Sequence, residues 1–126
     1  GRHRGGLGMA RQIRVLADGT TFSARSDAHV IPAPGVFGGK PSNTTRIRRN
    51  PGTPREEVLH SKASGLVLMA GETIRVETLG AGARGNPAER PLELLAADLR
   101  QANNSRAAAE RDYGAEMVAK ALASNG

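Results

Sequence analysis

Thr73-Ile-Arg-Val-Glu-Thr78 alternates without a break, with Ile74, Val76 and Thr78 on one side and Thr73, Arg75 and Glu77 on the other. A two-residue period marks a strand with one buried face, because successive side chains point to opposite sides of the pleat. The stretch therefore predicts a strand, and with it a sheet whose core receives the apolar side. Just before it, Ala70-Gly71-Glu72 reads as a turn, Gly65-Leu-Val-Leu-Met69 as an apolar strand and Glu57-Val-Leu-His-Ser61 as another. Further upstream, Arg11-Gln-Ile-Arg-Val-Leu16 and Thr20-Thr-Phe-Ser-Ala-Arg-Ser26 flank Ala17-Asp18-Gly19. Asp-Gly suits a tight turn in which both central residues take positive φ, so a hairpin is expected here, with Phe22 on its buried face.

The pattern changes downstream. Gly80-Ala-Gly-Ala-Arg-Gly85 and Asn86-Pro87 stop the strand, and from Pro91 the period becomes helical, with Leu92, Leu95, Ala96 and Leu99 at i, i+3, i+4 and i+7. Asn103-Asn104 ends that helix. Ser105 is placed to cap a second one reaching Asp112 or Tyr113 and closed by Gly114, and Met117, Val118, Ala121 and Leu122 predict a last helix. Between Pro32 and Pro54, by contrast, the run Pro-Ala-Pro-Gly-Val-Phe-Gly-Gly-Lys-Pro-Ser-Asn is expected to sustain neither a helix nor a central strand. The expected fold class is α+β: antiparallel strands with a long Gly/Pro loop, then two or three short C-terminal helices. Residues 1–126 are taken as one segment, β-rich over 1–79, a Gly/Pro loop over 80–90 and helical over 91–126.

Composition narrows the function. The 126 residues are 38% hydrophobic and 2% aromatic, with 16 Gly, 7 Pro and no Cys. Disulfides, thiolate zinc sites and thiol nucleophiles are thereby excluded, and stacking of bases on aromatic platforms is disfavoured. A domain this small builds a thin core, so it is expected to lean on other polypeptide. Neither a long apolar run nor a signal-peptide pattern is present, which predicts a cytoplasmic protein without a membrane segment. The net charge of +6 is concentrated in residues 1–63, with 11 basic against 4 acidic side chains, whereas residues 64–126 carry 7 and 8. Fifteen of the 18 cations are Arg, the residue suited to bidentate pairing with carboxylate or phosphate. Such a surface could face nucleic acid or the acidic surface of a protein partner. Lacking an aromatic–basic interleave or a long basic block, the chain reads better as the second, with a free-standing nucleic-acid module as the alternative.

Several motifs resemble chemistry in letters only. Gly80-x-Gly82-x-x-Gly85 matches the dinucleotide fingerprint, but Asn86-Pro87-Ala-Glu-Arg-Pro91 interrupts the helix that pyrophosphate binding needs. Gly35-Val-Phe-Gly-Gly-Lys-Pro41 is one residue short of a phosphate-binding loop and has Pro41 where a hydroxyl should hold magnesium. Lys40 beside its glycines could still touch an anion. His3, His29 and His60 show no metal-ligand spacing. Arg25-Ser26-Asp27 could orient a ligand at a strand end, while Ser26, with no general base evident beside it, is not read as a nucleophile.

Taken together in order, these residues resemble a known family. Arg4-Gly-Gly-Leu-Gly8 with Arg11, Arg25-Ser-Asp27, Gly35-Val-Phe-Gly-Gly-Lys-Pro41, Asn50-Pro-Gly52, Leu59 to Lys62, Ala70-Gly-Glu72 with Ile74–Thr78, the loop ending Gly85-Asn-Pro87, and Arg111-Asp-Tyr-Gly114 are similar to the C-terminal region of the hydantoinase B/5-oxoprolinase family. The departures lie at Leu79, Ala81, Ala83, Arg84 and Asn86, where the family has Pro, two Gly, Tyr and Asp, and at Ala28, where a basic residue often stands. Ala at two Gly positions implies that those sites do not require positive φ.

The resemblance implies an ATP-dependent opening of a cyclic amide such as a hydantoin or 5-oxoproline, in which phosphorylation activates the amide oxygen before hydrolysis. It implies that this chain has a structural and interface role, with no catalytic, cofactor or metal residues of its own. ATP and a divalent metal would belong to the complex, held by the rest of a hydantoinase B-like polypeptide and by a hydantoinase A-like subunit. The chain is accordingly expected to be a cut piece or a small separate subunit of such an enzyme. Arg4, Arg25, Asp27 and Lys40 are the candidate contacts to ligand or partner. A small subunit of an acetone- or acetophenone-type carboxylase, which uses the same activation, is the alternative within this chemistry.

Overall fold

The computed structural model describes residues 1–124. Six strands precede three helices: β1 Ala10–Arg14, β2 Thr20–Arg25, β3 Arg46–Arg49, β4 Glu57–Leu59, β5 Lys62–Leu68, β6 Thr73–Glu77, α1 Leu92–Arg100, α2 Arg106–Tyr113 and α3 Ala115–Ala123. The strand pairings are antiparallel, so the fold is α+β and β-rich, as the alternation at residues 73–78 predicts. The chain forms two compact units. A strand unit comprises Gly8–Ala33 and Ser42–Gly80, and a helical unit comprises Gly1–Leu7, Pro34–Pro41 and the chain from Ala81 onward.

In the strand unit, β1-β6-β3-β4 form one sheet and β2-β5 another. Ile74 stands opposite Ile13 and Arg49, and Ile47 opposite Val76 and Leu59. One face thus gathers the apolar side chains. Val15, Ile47, Leu59, Leu68 and Ile74 are buried there, with Phe22, Ala24, Leu66 and Val76 packed against them. Burial of a side chain such as Ile47, only 1% exposed, stabilises by about 1.5–3 kcal/mol.

Two expectations fail in this unit. Asp18-Gly19 does not close a hairpin, since β1 pairs with β6 and β2 with β5. The ladder of β1 instead continues through Val15, whose N–H donates to the Glu72 carbonyl (2.8 Å) and whose carbonyl accepts from Gly71 N (2.8 Å). The Asp18 carboxylate accepts from Ala70 N at 2.8 Å, so it caps the neighbouring corner while the chain crosses into the other sheet. The stretch 32–54 also does contain a central strand: β3 pairs on both sides. Its four residues are free of the Pro and Gly that surround them, and Ile47 anchors them in the core.

Placing Arg49 on the core-facing side of β3 demands a buried acid. Glu72 supplies it: Arg49 donates Nε to Oε1 (2.9 Å) and Nη2 to Oε2 (2.7 Å), Asn50 Nδ2 donates to Oε1 (2.8 Å) and Met69 N to Oε2 (2.9 Å). These donors, Arg49 foremost, lower the carboxyl from 4.5 to about 2. Asn50, at φ 49°, also accepts from Thr73 N at 3.1 Å.

The helical unit has a separate core of Leu95, Ala96, Ala109, Val118 and Ala121, flanked by Leu92, Leu99, Tyr113 and Met117. Ser105 caps α2 by accepting from Ala108 N (3.2 Å), and Gly114, at φ 90°, ends it. Both follow the local signals. No helix among the described residues is long and apolar enough to cross a membrane.

Candidate functional site

Three glycine-rich segments meet in the helical unit. Residues 81–85 run as the middle member, with residues 1–6 on one side and 34–40 on the other. His3 N donates to the Arg84 carbonyl (2.8 Å), Arg84 N to the His3 carbonyl (3.1 Å), Arg2 N to the Gly85 carbonyl (3.1 Å) and Ala81 N to the Gly6 carbonyl (2.9 Å). From the other side Val36 N donates to Ala83 O, Gly85 N to Val36 O and Ala83 N to Lys40 O, each at 3.0 Å. Backbone lies directly on backbone. A Cβ on Gly82 would stand 1.9 Å from the Pro34 oxygen, and one on Gly39 would stand 2.0 Å from the Ala83 oxygen. The same holds for Gly5 against Ala81 and Gly35 against Gly39. Ala81 and Ala83 have no positive φ, in keeping with their replacement of glycine.

On this knot sits an open cleft of about 390 Å³, lined by Arg2, His3, Phe37, Arg84, Asn86 and Glu89 together with the Gly85 backbone. Phe37 is 80% exposed although it occupies the left-handed region at φ 51°. The Arg84 guanidinium carbon lies over its ring, 5.4 Å from the centroid, within cation–π reach. Arg2 and Glu89 approach to 3.7 Å with both side chains more than half exposed. Of these side chains the sequence singles out Arg84 and Asn86, as departures in the loop, and His3, weighed as a metal ligand; it does not bring them together. Phe37 next to Gly38-Gly39 is the one local signal, since a large aromatic within a turn has no strand or helix face to bury.

The four residues expected to make contacts are distributed over both units. Arg4 donates Nε to Asp98 Oδ1 at 3.1 Å. Asp98 is buried and also accepts from the buried Arg90, which donates Nη1 to the Arg2 carbonyl at 3.1 Å and lies over the Tyr113 ring at 5.8 Å. Burial pushes the Tyr113 phenol up against the opposing, lowering effect of the Arg90 charge, and its hydroxyl donates to the Gly1 carbonyl at 3.3 Å. Arg4 therefore fastens the first segment to α1. Lys40 donates to the Asp112 carbonyl at 3.1 Å, at the end of α2, where a cation favours the helix dipole. Arg25 and Asp27 lie in the strand unit. Asp27 pairs with Lys62 at 3.3 Å. Arg25 stands opposite Lys62 in the ladder, and no carboxylate within ion-pair distance of it is found among the described residues.

Ser26 requires a correction. His29 Nε2 lies 2.7 Å from its Oγ, so a general base is within reach after all. Ala28 at φ 59° folds the chain back to bring them together, a backbone turn that residue spacing alone does not reveal. A cavity of about 330 Å³ adjoins the pair, lined by Ser26, Asp27, His29, Val30, Ile31 and Ser61. The Asp27 carboxylate is engaged with Lys62, and among the described residues none bonds the other ring nitrogen of His29. Nor do three or more His, Asp or Glu side chains converge there as a metal site.

Comparison with known proteins adds to this geometry. The profile of the family described as hydantoinase B/oxoprolinase matches residues 1–87. A protein of Pseudomonas sp. (strain NS671), whose name assigns it provisionally as the B-type component of a D-/L-hydantoinase, is 30% identical over 119 residues, covering 94% of this chain and 20% of that protein. An uncharacterized protein of Methanocaldococcus jannaschii is 29% identical over 123 residues, covering 95% of this chain and 21% of the relative. The chain thus spans about a fifth of the length of these relatives. No solved structure matches it.

Proposed function

Since the chain belongs to the hydantoinase B/oxoprolinase family, we propose that it supports the catalytic region of a hydantoinase-type enzyme and contributes an interface to an ATP-binding partner. The enzyme would open cyclic amides by phosphorylating the amide oxygen and hydrolysing the activated bond. The observation that carries this reading is the glycine knot: three motifs on which the family resemblance rests, far apart in sequence, are the segments that pack backbone on backbone.

The interface role draws on exposure. Met9, Leu16, Val30 and Ile31 are apolar and open to solvent, in a chain that spans about a fifth of its relatives. Such side chains need cover, and the remaining polypeptide of a hydantoinase B-like chain is its natural source. Arg25, with no acid within ion-pair distance among the described residues, and Lys40, whose side chain is half exposed beside Asp112, are the cations offered to a partner or to a phosphorylated intermediate through charge-assisted hydrogen bonds. In this reading Arg4 acts at one remove, by holding residues 1–6 on α1.

The test is co-expression with the accompanying subunits, followed by intact mass of the native complex and ATP-dependent opening of hydantoin or 5-oxoproline. Arg25→Gln and Lys40→Gln are expected to lower turnover or weaken assembly. Unchanged turnover and assembly in both variants would overturn the contact roles, and a chain recovered alone as a sharply melting active monomer would overturn the whole reading. Bicarbonate-dependent carboxylation of a ketone would assign the chain to the carboxylase branch instead.

A further inference from the structure

Gly80–Gly85, which matches a dinucleotide fingerprint in letters only, and Gly35–Pro41, which falls short of a phosphate-binding loop, come together in the helical unit, and each gives one large side chain to the same cleft: Arg84 and Phe37. We propose that this cleft binds a flat carboxylate, an acid whose carboxyl group is attached directly to a π-system, with Arg84 gripping the carboxylate and Phe37 supporting the plane. This assignment goes beyond the proposed reaction and does not rest on it.

The backbone around Arg84 is fixed from both sides, through His3 on one and through Val36 bonding its neighbours Ala83 and Gly85 on the other. Its guanidinium has no carboxylate within ion-pair distance among the described residues. Among the described residues the Arg2 guanidinium makes only a long contact to a carboxylate, Glu89 at 3.7 Å, and His3 completes the rim, so the cleft favours an anion. Phe37 holds a left-handed backbone conformation that a non-glycine residue rarely adopts and gains little burial in return. Strain retained at an exposed aromatic points to a use for the ring.

Geometry selects the ligand class. A guanidinium lying over a ring engages one face and leaves its N–H edge open, and that edge matches the two oxygens of a carboxylate in one plane. A π-system conjugated with the carboxyl group shares that plane and can extend along the Phe37 face. A tetrahedral phosphate could use the fork but not the ring. The volume, about 390 Å³, falls within the range of small-molecule sites.

Isothermal titration of the chain, with any co-purifying polypeptide retained and ATP absent, tests the assignment with benzoate, cyclohexanecarboxylate and inorganic phosphate. Benzoate is expected to saturate a single site and to bind about tenfold more tightly than phosphate, with cyclohexanecarboxylate severalfold weaker than benzoate. Arg84→Lys keeps the charge but loses the fork, and is expected to weaken benzoate about tenfold. Phe37→Leu should abolish the preference for the flat acid while leaving the melting temperature within a few degrees. Absence of saturation, equal affinity for phosphate, or benzoate binding unchanged in both variants would overturn the proposal. Because none of these ligands is a cyclic amide or a nucleotide, failure here leaves the proposed reaction standing, and failure of that reaction leaves the cleft's ligand class standing.

Discussion

Glu72 accepts four hydrogen bonds beneath the turn from β5 to β6, and its carboxyl titrates at about 2 where 4.5 is ordinary. A carboxyl whose folded pKa is depressed stabilises the fold above its unfolded pKa and loses that contribution as pH falls through the folded value. Urea midpoints of the strand unit are therefore expected to decline as pH drops from 4.5 towards 2, and Glu72→Gln should be less stable at pH 7 with a flatter profile across that window. A second residue-scale prediction concerns Asp98. Asp98→Ala leaves Arg90 buried without its anion, and breaking a buried pair in this way costs about 3–5 kcal/mol. Adding Arg90→Met should recover part of the loss, measurable as a coupling in a double-mutant cycle. Neither partnership was legible in the sequence. Arg4 stood out as a cation, but what it meets is Asp98, 94 residues away, and no local pattern encodes a contact of that separation. Ser26 and His29 are the opposite case, near in sequence but joined only because Ala28 takes a positive φ.

The helices were legible because their signals are local. Ser105 is the N-cap and Gly114 the C-cap of α2, so Ser105→Ala is expected to lower stability by about 1 kcal/mol in chemical denaturation. Among the strands, β6 follows its alternation, with Ile74 buried and Val76 against the core. The hairpin expected at Asp18-Gly19 failed because a turn signal tells where the chain bends and not which strand lies beside it: β1 found β6, 63 residues from Ala10 at its nearest end. The stretch 32–54 misled for a related reason. Its prolines flank β3 without entering it, and the four residues between them pair on both sides, with β4 and β6. For the glycine segments the constraint is close approach. Gly39→Ala would push a methyl group against the Ala83 carbonyl and is expected to destabilise by at least about 1–3 kcal/mol, readable as lost amide protection at Ala83 and Gly85.

The two cores share no residue. Leu95→Ala and Ile47→Ala should each cost about 2–5 kcal/mol, and hydrogen exchange is expected to localise the first loss to α1–α3 and the second to the strands. Equal loss of protection throughout the chain in either variant would show that the two units unfold as one. Period, caps and breakers determined by themselves where strands give way to helices and which side of β6 turns inward, since those depend on residues a few positions apart. The collinear glycine motifs likewise pointed to the family without any coordinates. Tertiary structure alone decided which strands pair, which acid neutralises Arg49 and Arg4, and that Phe37 and Arg84 border one cleft. Those outcomes depend on closing long loops and on packing backbone against backbone, interactions that exist only once distant segments share the same space.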